Sequence, residues 1–186
     1  MVSLLSLWLP ILLGAVFVFV VSSIIHTVLT YHQNDYRQVP DEDAVRSALR
    51  PLAIPPGDYV VPKPANAKEM KTPEFQAKAT EGPVVFMTVF PNAPFAMGKQ
   101  LVLWFVYSVI IGIFAGYLAS RTLGPGTEYL QVFRVTGTVA FAGYGLALLQ
   151  RSIWFGQSWN ATAKSVFDAL IYALFTAGAF GWLWPS

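Results

Sequence analysis

The sequence predicts an all-α transmembrane protein: a four-helix membrane bundle with a small mixed α/β insertion between helices 1 and 2. Three observations carry that prediction. Of the 186 residues, 55% are hydrophobic and only 12% are charged, about half the roughly 25% charged fraction of soluble domains, and the mean hydropathy is +0.52. The apolar residues gather in four blocks, each near the ~20 residues that a helix needs to cross a ~30 Å hydrocarbon layer. The polar residues gather elsewhere, in residues 31–98, which hold ten of the thirteen prolines and eight of the ten acidic residues.

The first block covers residues 4–30 and is interrupted only by Ser6, Ser22, Ser23, His26, Thr27 and Thr30. Pro10 fits a first helical turn, where a missing N–H costs nothing. No basic residue precedes the block and no small-x-small site follows it, so it reads as a retained anchor rather than a cleaved signal.

Residues 31–98 form the insertion. Asp41 can cap a short helix ending at Arg50-Pro51, and Thr72 followed by Pro73 can start another that stops near Gly82. Residues 58–61 and 84–90 are rich in β-branched and aromatic side chains and can pair as strands. A core this small holds little stability alone, so docking on the helices or on a partner is expected. The remaining chain, residues 99–186, supplies helices over 101–120, 132–149 and 166–184. Arg121 with Gly124-Pro125-Gly126 separates the first two of these, and residues 151–164 separate the last two.

Four crossings put both chain ends on one side. The side with the insertion and the 151–164 connection carries ten of the twelve Lys and Arg residues, and the other carries only Arg121 and Arg134. The positive-inside rule therefore places the insertion in the cytoplasm and both ends outside. Trp8, Trp182 and Trp184 then fall at the outer interface and Trp104, Trp154 and Trp159 near the inner one, as amphipathic indoles prefer.

Ser108, Gly112, Gly116 and Ser120 recur every fourth residue in the second block, and Ala169, Ala173, Ala177 and Gly181 do the same in the fourth. Each set gives its helix one small-residue ridge, which lets backbones approach where lipid offers no hydrophobic driving force. Either the ridges pack helices within one chain, or one of them recruits another subunit.

Ser22, His26 and Thr30 also lie four apart, with Lys164 and Asp168 at a similar depth. This polar cluster has two readings. A buried His26 and Asp168 pair could serve a proton, ion or substrate path, since intramembrane ionisable groups are functional candidates. Alternatively, Ser165-x-x-Asp168 is a capping box with Lys164 one turn away, favoured by the helix dipole.

Other chemistries find little support. The chain has no cysteine, which removes disulfides, thiolate metal sites and a cysteine nucleophile. His32-x-x-Asp35 has helical spacing for one metal, but two isolated histidines do not define a metal or pigment site, and no metal or cofactor is expected. No G-x-S-x-G, P-loop, G-x-G-x-x-G or H-E-x-x-H is present. A net charge of +2 with interspersed signs gives no nucleic-acid footprint.

The strings Asp41-Glu42-Asp43-Ala44-Val45, Pro55-Pro56-Gly57-Asp58-Tyr59, Met87-Thr88-Val89-Phe90-Pro91-Asn92 and Gly178-Ala179-Phe180-Gly181-Trp182-Leu183-Trp184-Pro185 together resemble an uncharacterised family of small bacterial inner-membrane proteins. The resemblance implies a bacterial inner membrane and transfers no functional residues. The expected function is that of a non-enzymatic accessory or scaffold subunit of a membrane complex, partnered by the lipid bilayer and by other membrane subunits or copies of itself. A small homo-oligomeric transporter or channel, with a polar path near His26 and Asp168, is the alternative.

Overall fold

A computed structural model describes residues 2–186. The chain divides into two compact units, one made of the segments up to Arg37 and from Ala96 onward, the other of Gln38–Phe95.

The first unit begins with a 3₁₀ turn, Leu4–Leu7, leading into helix α1, Trp8–Thr27. In the second unit, α2 (Glu42–Leu49) precedes strand β1 (Gly57–Val61), and α3 (Pro73–Glu81) precedes β2 (Val85–Val89). The first unit resumes with α4 (Gly98–Thr122) and α5 (Tyr129–Tyr144), then a 3₁₀ turn at Leu146–Leu148, the short α6 (Leu149–Phe155) and α7 (Trp159–Trp182). Four helical stretches, Leu4–Thr27, Gly98–Thr122, Tyr129–Phe155 and Trp159–Trp182, are long and apolar enough to cross a membrane.

These helices form a closed ring, in which α1 meets α4, α4 meets α5, α5 meets α7 and α7 returns to α1. Small residues make the ring tight. Gly112 lets the α1 backbone at Ile11 come within 3.5 Å of where a side chain would begin, Gly145 leaves room for the Ala169 Cβ of α7 at 3.1 Å, and Gly181 leaves room for the Tyr129 ring. Inside the ring, Val18, Ile111, Ala140 and Ala173 fill one half, and Leu7, Ile11, Val132 and Phe180 the other. Buried hydroxyls of Thr136 and Thr176 donate to carbonyls one turn back, Val132 and Tyr172, so they leave no unpaired donor in the apolar interior.

Two boundaries differ from the sequence expectation. Helix α7 starts at Trp159, seven residues before the expected 166, so the 151–164 segment is the end of α6, a short turn over 156–158 and the first turns of α7. Asn160, Thr162 and Lys164 interrupt the apolar run without interrupting the helix: Asn160 is exposed, Thr162 Oγ1 lies 2.6 Å from Ser152 Oγ of α6, and Lys164 Nζ donates to Asp35. Gly156, in the left-handed region at φ +68, makes the sharp turn between α6 and α7. The third block also breaks at Tyr144 into a 3₁₀ turn before it continues as α6.

The second unit is local in its logic. Asp41 Oδ1 accepts from the Ala44 N–H at 2.8 Å to cap α2, and Thr72 Oγ1 accepts from the Phe75 N–H at 3.3 Å to cap α3, with Pro73 at the first helical position. The strands pair antiparallel from Gly57 with Val89 to Val61 with Val85, and Thr88 Oγ1 donates to Asp58 Oδ1 across them at 2.6 Å. None of its residues is buried.

Candidate functional site

The site sits where α1 ends. After Thr27 the chain makes two tight turns, closed by Gln33 N–H to Thr30 O and Asp35 N–H to His32 O, both at 3.0 Å. These turns lay Tyr31, His32 and Asp35 against the second and third turns of α7, where Lys164 and Asp168 point at them.

The imidazole of His32 is held between two carboxylates, with Nδ1 2.5 Å from Asp35 Oδ2 and Nε2 2.7 Å from Asp168 Oδ2. The Tyr31 hydroxyl donates to the other oxygen of Asp168. Lys164 Nζ donates to Asp35 Oδ1 at 2.7 Å and to the Tyr31 carbonyl at 2.5 Å. Asp168 is only 2% exposed, and an isolated charge at such a position is costly unless it is paired and hydrogen-bonded. Here both its oxygens have partners.

Two carboxylates facing both ring nitrogens require a donor on each nitrogen, which an imidazolium supplies. With His32 charged, two cations offset two anions and the cluster is neutral. Burial pulls the His32 pKa down, but hydrogen bonds to Asp35 and Asp168 outweigh it and raise the value above the ordinary 6.5. Burial pushes Asp35 up, but hydrogen bonds from Lys164 and His32 outweigh it and lower the value below 3.8. Burial, and then the bond to Asp168, raise the Tyr31 phenol, which stays a donor.

His26, in the last turn of α1, flanks the cluster. Its ring centroid is 4.8 Å from that of His32, and its Nε2 lies 3.4 Å from the Tyr172 hydroxyl, a contact too long to fix it. Donor atoms of His26, His32 and Asp168 all lie within 4.8 Å of one another. Beside them opens a cavity of about 620 Å³, walled by Leu101, Trp104, Tyr144 and Tyr172 and reaching His26 and Asp168. Trp104 is fixed there by donating from Nε1 to Ser22 Oγ at 2.9 Å.

The expected polar cluster is therefore rearranged. His26, Lys164 and Asp168 come together, and Ser22 is buried one turn away, where it orients Trp104. Thr30 does not join them: α1 ends at Thr27, which breaks the four-residue spacing, and Thr30 is exposed. The capping box is also overturned, because Asp168 lies in the third turn of α7 and Ser165 Oγ instead donates to the Ala161 carbonyl at 3.0 Å. Tyr31, His32 and Asp35 are the members that sequence reasoning assigned to the insertion. The available signal was Asp168 itself, the only acid in the last three apolar blocks, which needed more compensation than Lys164 alone.

The ridges face inward. Ser108, Gly112, Gly116 and Ser120 are buried on α4, and Gly116 packs against the Phe180 ring. Ala169, Ala173 and Ala177 are buried on α7, with Ala169 against Gly145 and Ala177 against Gly137, while Gly181 receives Tyr129.

The class defined by this fold and site is a helical bundle long and apolar enough to cross a membrane, with a partly buried ion-pair cluster at one end of it. Comparison of the chain with protein-family models, with curated proteins and with solved structures finds no match.

Proposed function

We infer that this chain is a multi-pass protein of a bacterial inner membrane that works as a non-enzymatic accessory or scaffold subunit. Insertion is supported by the outer faces of the helices. Leu9, Leu12, Val16 and Val20 on α1, Ile110 and Phe114 on α4, and Leu174 and Phe175 on α7 are all exposed. Apolar surface of this extent fits lipid rather than water. The bacterial setting rests on the family resemblance, and the orientation on the ten-to-two distribution of Lys and Arg, which puts Gln38–Phe95 in the cytoplasm.

The observation that carries the accessory reading is the Gln38–Phe95 unit, which has two capped helices and a hairpin yet buries no residue. Phe90 and Phe95 are 76% and 93% exposed. A unit that orders its backbone without a core of its own gains that core from a partner. Gentle extraction of the tagged protein, native gel separation and mass spectrometry test this. The expected result is a partner at fixed stoichiometry, lost in Phe90→Ser/Phe95→Ser; migration only as a monomer or homo-oligomer contradicts it.

The cavity favours a second reading, a homo-oligomeric transport path near His26 and Asp168. Within one chain the interior past Tyr172 is filled by residues such as Ala173, Val132 and Phe180, so the path would have to run between copies. Unchanged flux in folded His26→Ala and Asp168→Asn variants sinks this reading.

A further inference from the structure

We propose that His26, His32 and Asp168 form a binding site for a divalent transition-metal ion, with Asp35, Lys164 and Tyr31 as its outer shell and the adjoining cavity as the approach for a fourth ligand. The proposal stands apart from the accessory-subunit reading, since it concerns only the helical unit.

Two imidazoles and one carboxylate are a donor set suited to zinc and its first-row neighbours, and three protein ligands leave one coordination position open. Metal-bound histidine typically donates its other ring N–H to a carboxylate, which fixes the tautomer and turns the remaining nitrogen toward the ion. His32 has that arrangement: Nδ1 is bound to Asp35 at 2.5 Å, and Asp35 is in turn held by Lys164 at 2.7 Å, leaving Nε2 to face Asp168 Oδ2. Asp168 matches it, with Oδ1 engaged by the Tyr31 hydroxyl and Oδ2 directed at the centre.

A proton now joins Nε2 of His32 to Oδ2 of Asp168 across 2.7 Å. An ion placed there takes the position of that proton, which leaves as the imidazole becomes a neutral ligand. Ligand atoms about 2.0–2.2 Å from a tetrahedral ion stand wider than this pair and closer than the 4.8 Å that bounds the three donors. The pair must open slightly and His26 must swing in. His26 can do so, because it is exposed and no short hydrogen bond holds it: its contacts are the 3.4 Å approach to Tyr172 and the 4.8 Å ring contact with His32. The open position then faces the cavity between Trp104, Tyr144 and Tyr172, which has room for water or an anionic group of an amphipathic ligand.

The test is calorimetric titration of Zn²⁺ into the full chain, purified in detergent and stripped with chelator, with Mg²⁺ as the control. One zinc per chain and no Mg²⁺ response are expected. His26→Ala and His32→Ala should each weaken zinc binding by about 100-fold or more, and Asp35→Asn by about 10–100-fold, as losses from the inner and outer shells do. His26→Ala keeps the test decisive where a cluster variant fails to fold, since His26 is exposed, lies outside the buried core and makes no short hydrogen bond; its thermal melt should stay close to the parent's. Absence of zinc binding, or equal affinity in His26→Ala, overturns the proposal.

Discussion

Asp168 is the one charged residue buried among the described residues. Its carboxylate is buried and satisfies Tyr31 and His32 together, so Asp168→Ala leaves the His32 Nε2 and the Tyr31 phenol without their acceptor. Removing one partner of a buried pair costs about 3–5 kcal/mol, and a thermal or denaturant melt in detergent should show a loss of that order. A loss comparable to that of an exposed pair, such as Arg46 with Asp43, would mean that water reaches the cluster. The metal-free protein should also depend on pH with a defined sign. His32 has a folded pKa raised above 6.5, so its contribution is complete below 6.5 and disappears as pH rises through the folded value. Asp35 has a folded pKa lowered below 3.8, so its contribution is present above 3.8 and disappears as pH falls through the folded value. Melts in chelator should therefore be most stable on the mildly acidic side and lose stability toward alkaline pH. Loss of this dependence in His32→Ala identifies the titrating group; its persistence assigns it elsewhere.

At the scale of elements, the approach of the end of α5, capped by Gly145, to α7 should tolerate little added volume. A side chain at Gly145 would begin 3.1 Å from both the Ala169 Cβ and the Phe141 carbonyl, groups tied to backbone, whereas one at Gly98 meets nothing within 4 Å. Gly145→Ala should destabilise the bundle by about 1–3 kcal/mol through overpacking, while Gly98→Ala should be neutral or stabilising by up to about 1 kcal/mol. Equal melts for the two variants would contradict the close α5–α7 approach. The legible elements were those specified locally: the Asp41 and Thr72 caps, the hairpin strands and the apolar cores of the four long helices follow from short strings of sequence. The start of helix α7 is not legible from hydropathy, which falls at Asn160–Lys164, although Thr162 and Lys164 find polar partners there. Half of the site was legible from the depth of His26, Lys164 and Asp168. The other half was not, because Tyr31, His32 and Asp35 reach α7 only through two turns after α1, a contact spanning more than a hundred residues that no spacing rule encodes.

For the whole molecule, the ring of four helices, its apolar outer faces and its ion-pair cluster at one end define a protein that needs two environments. Exposed side chains such as Phe114 and Phe175 fit hydrocarbon, while the Lys164, Asp35 and His32 end carries charge that fits an interface with water. On the orientation proposed from the Lys and Arg distribution, the insertion and the cluster should lie on the cytoplasmic side and the turn at Gly124-Pro125-Gly126, where Gly126 N–H donates to the Pro185 carbonyl, on the outer side. Because the chain contains no cysteine, single-cysteine labelling in intact cells and in inverted vesicles tests this with no background. Phe95→Cys should react with a membrane-impermeant maleimide only in inverted vesicles, and Gly126→Cys only in intact cells. Both sites reacting from the same side would contradict four crossings, and the reverse pattern would overturn the proposed orientation, which places Gln38–Phe95 in the cytoplasm.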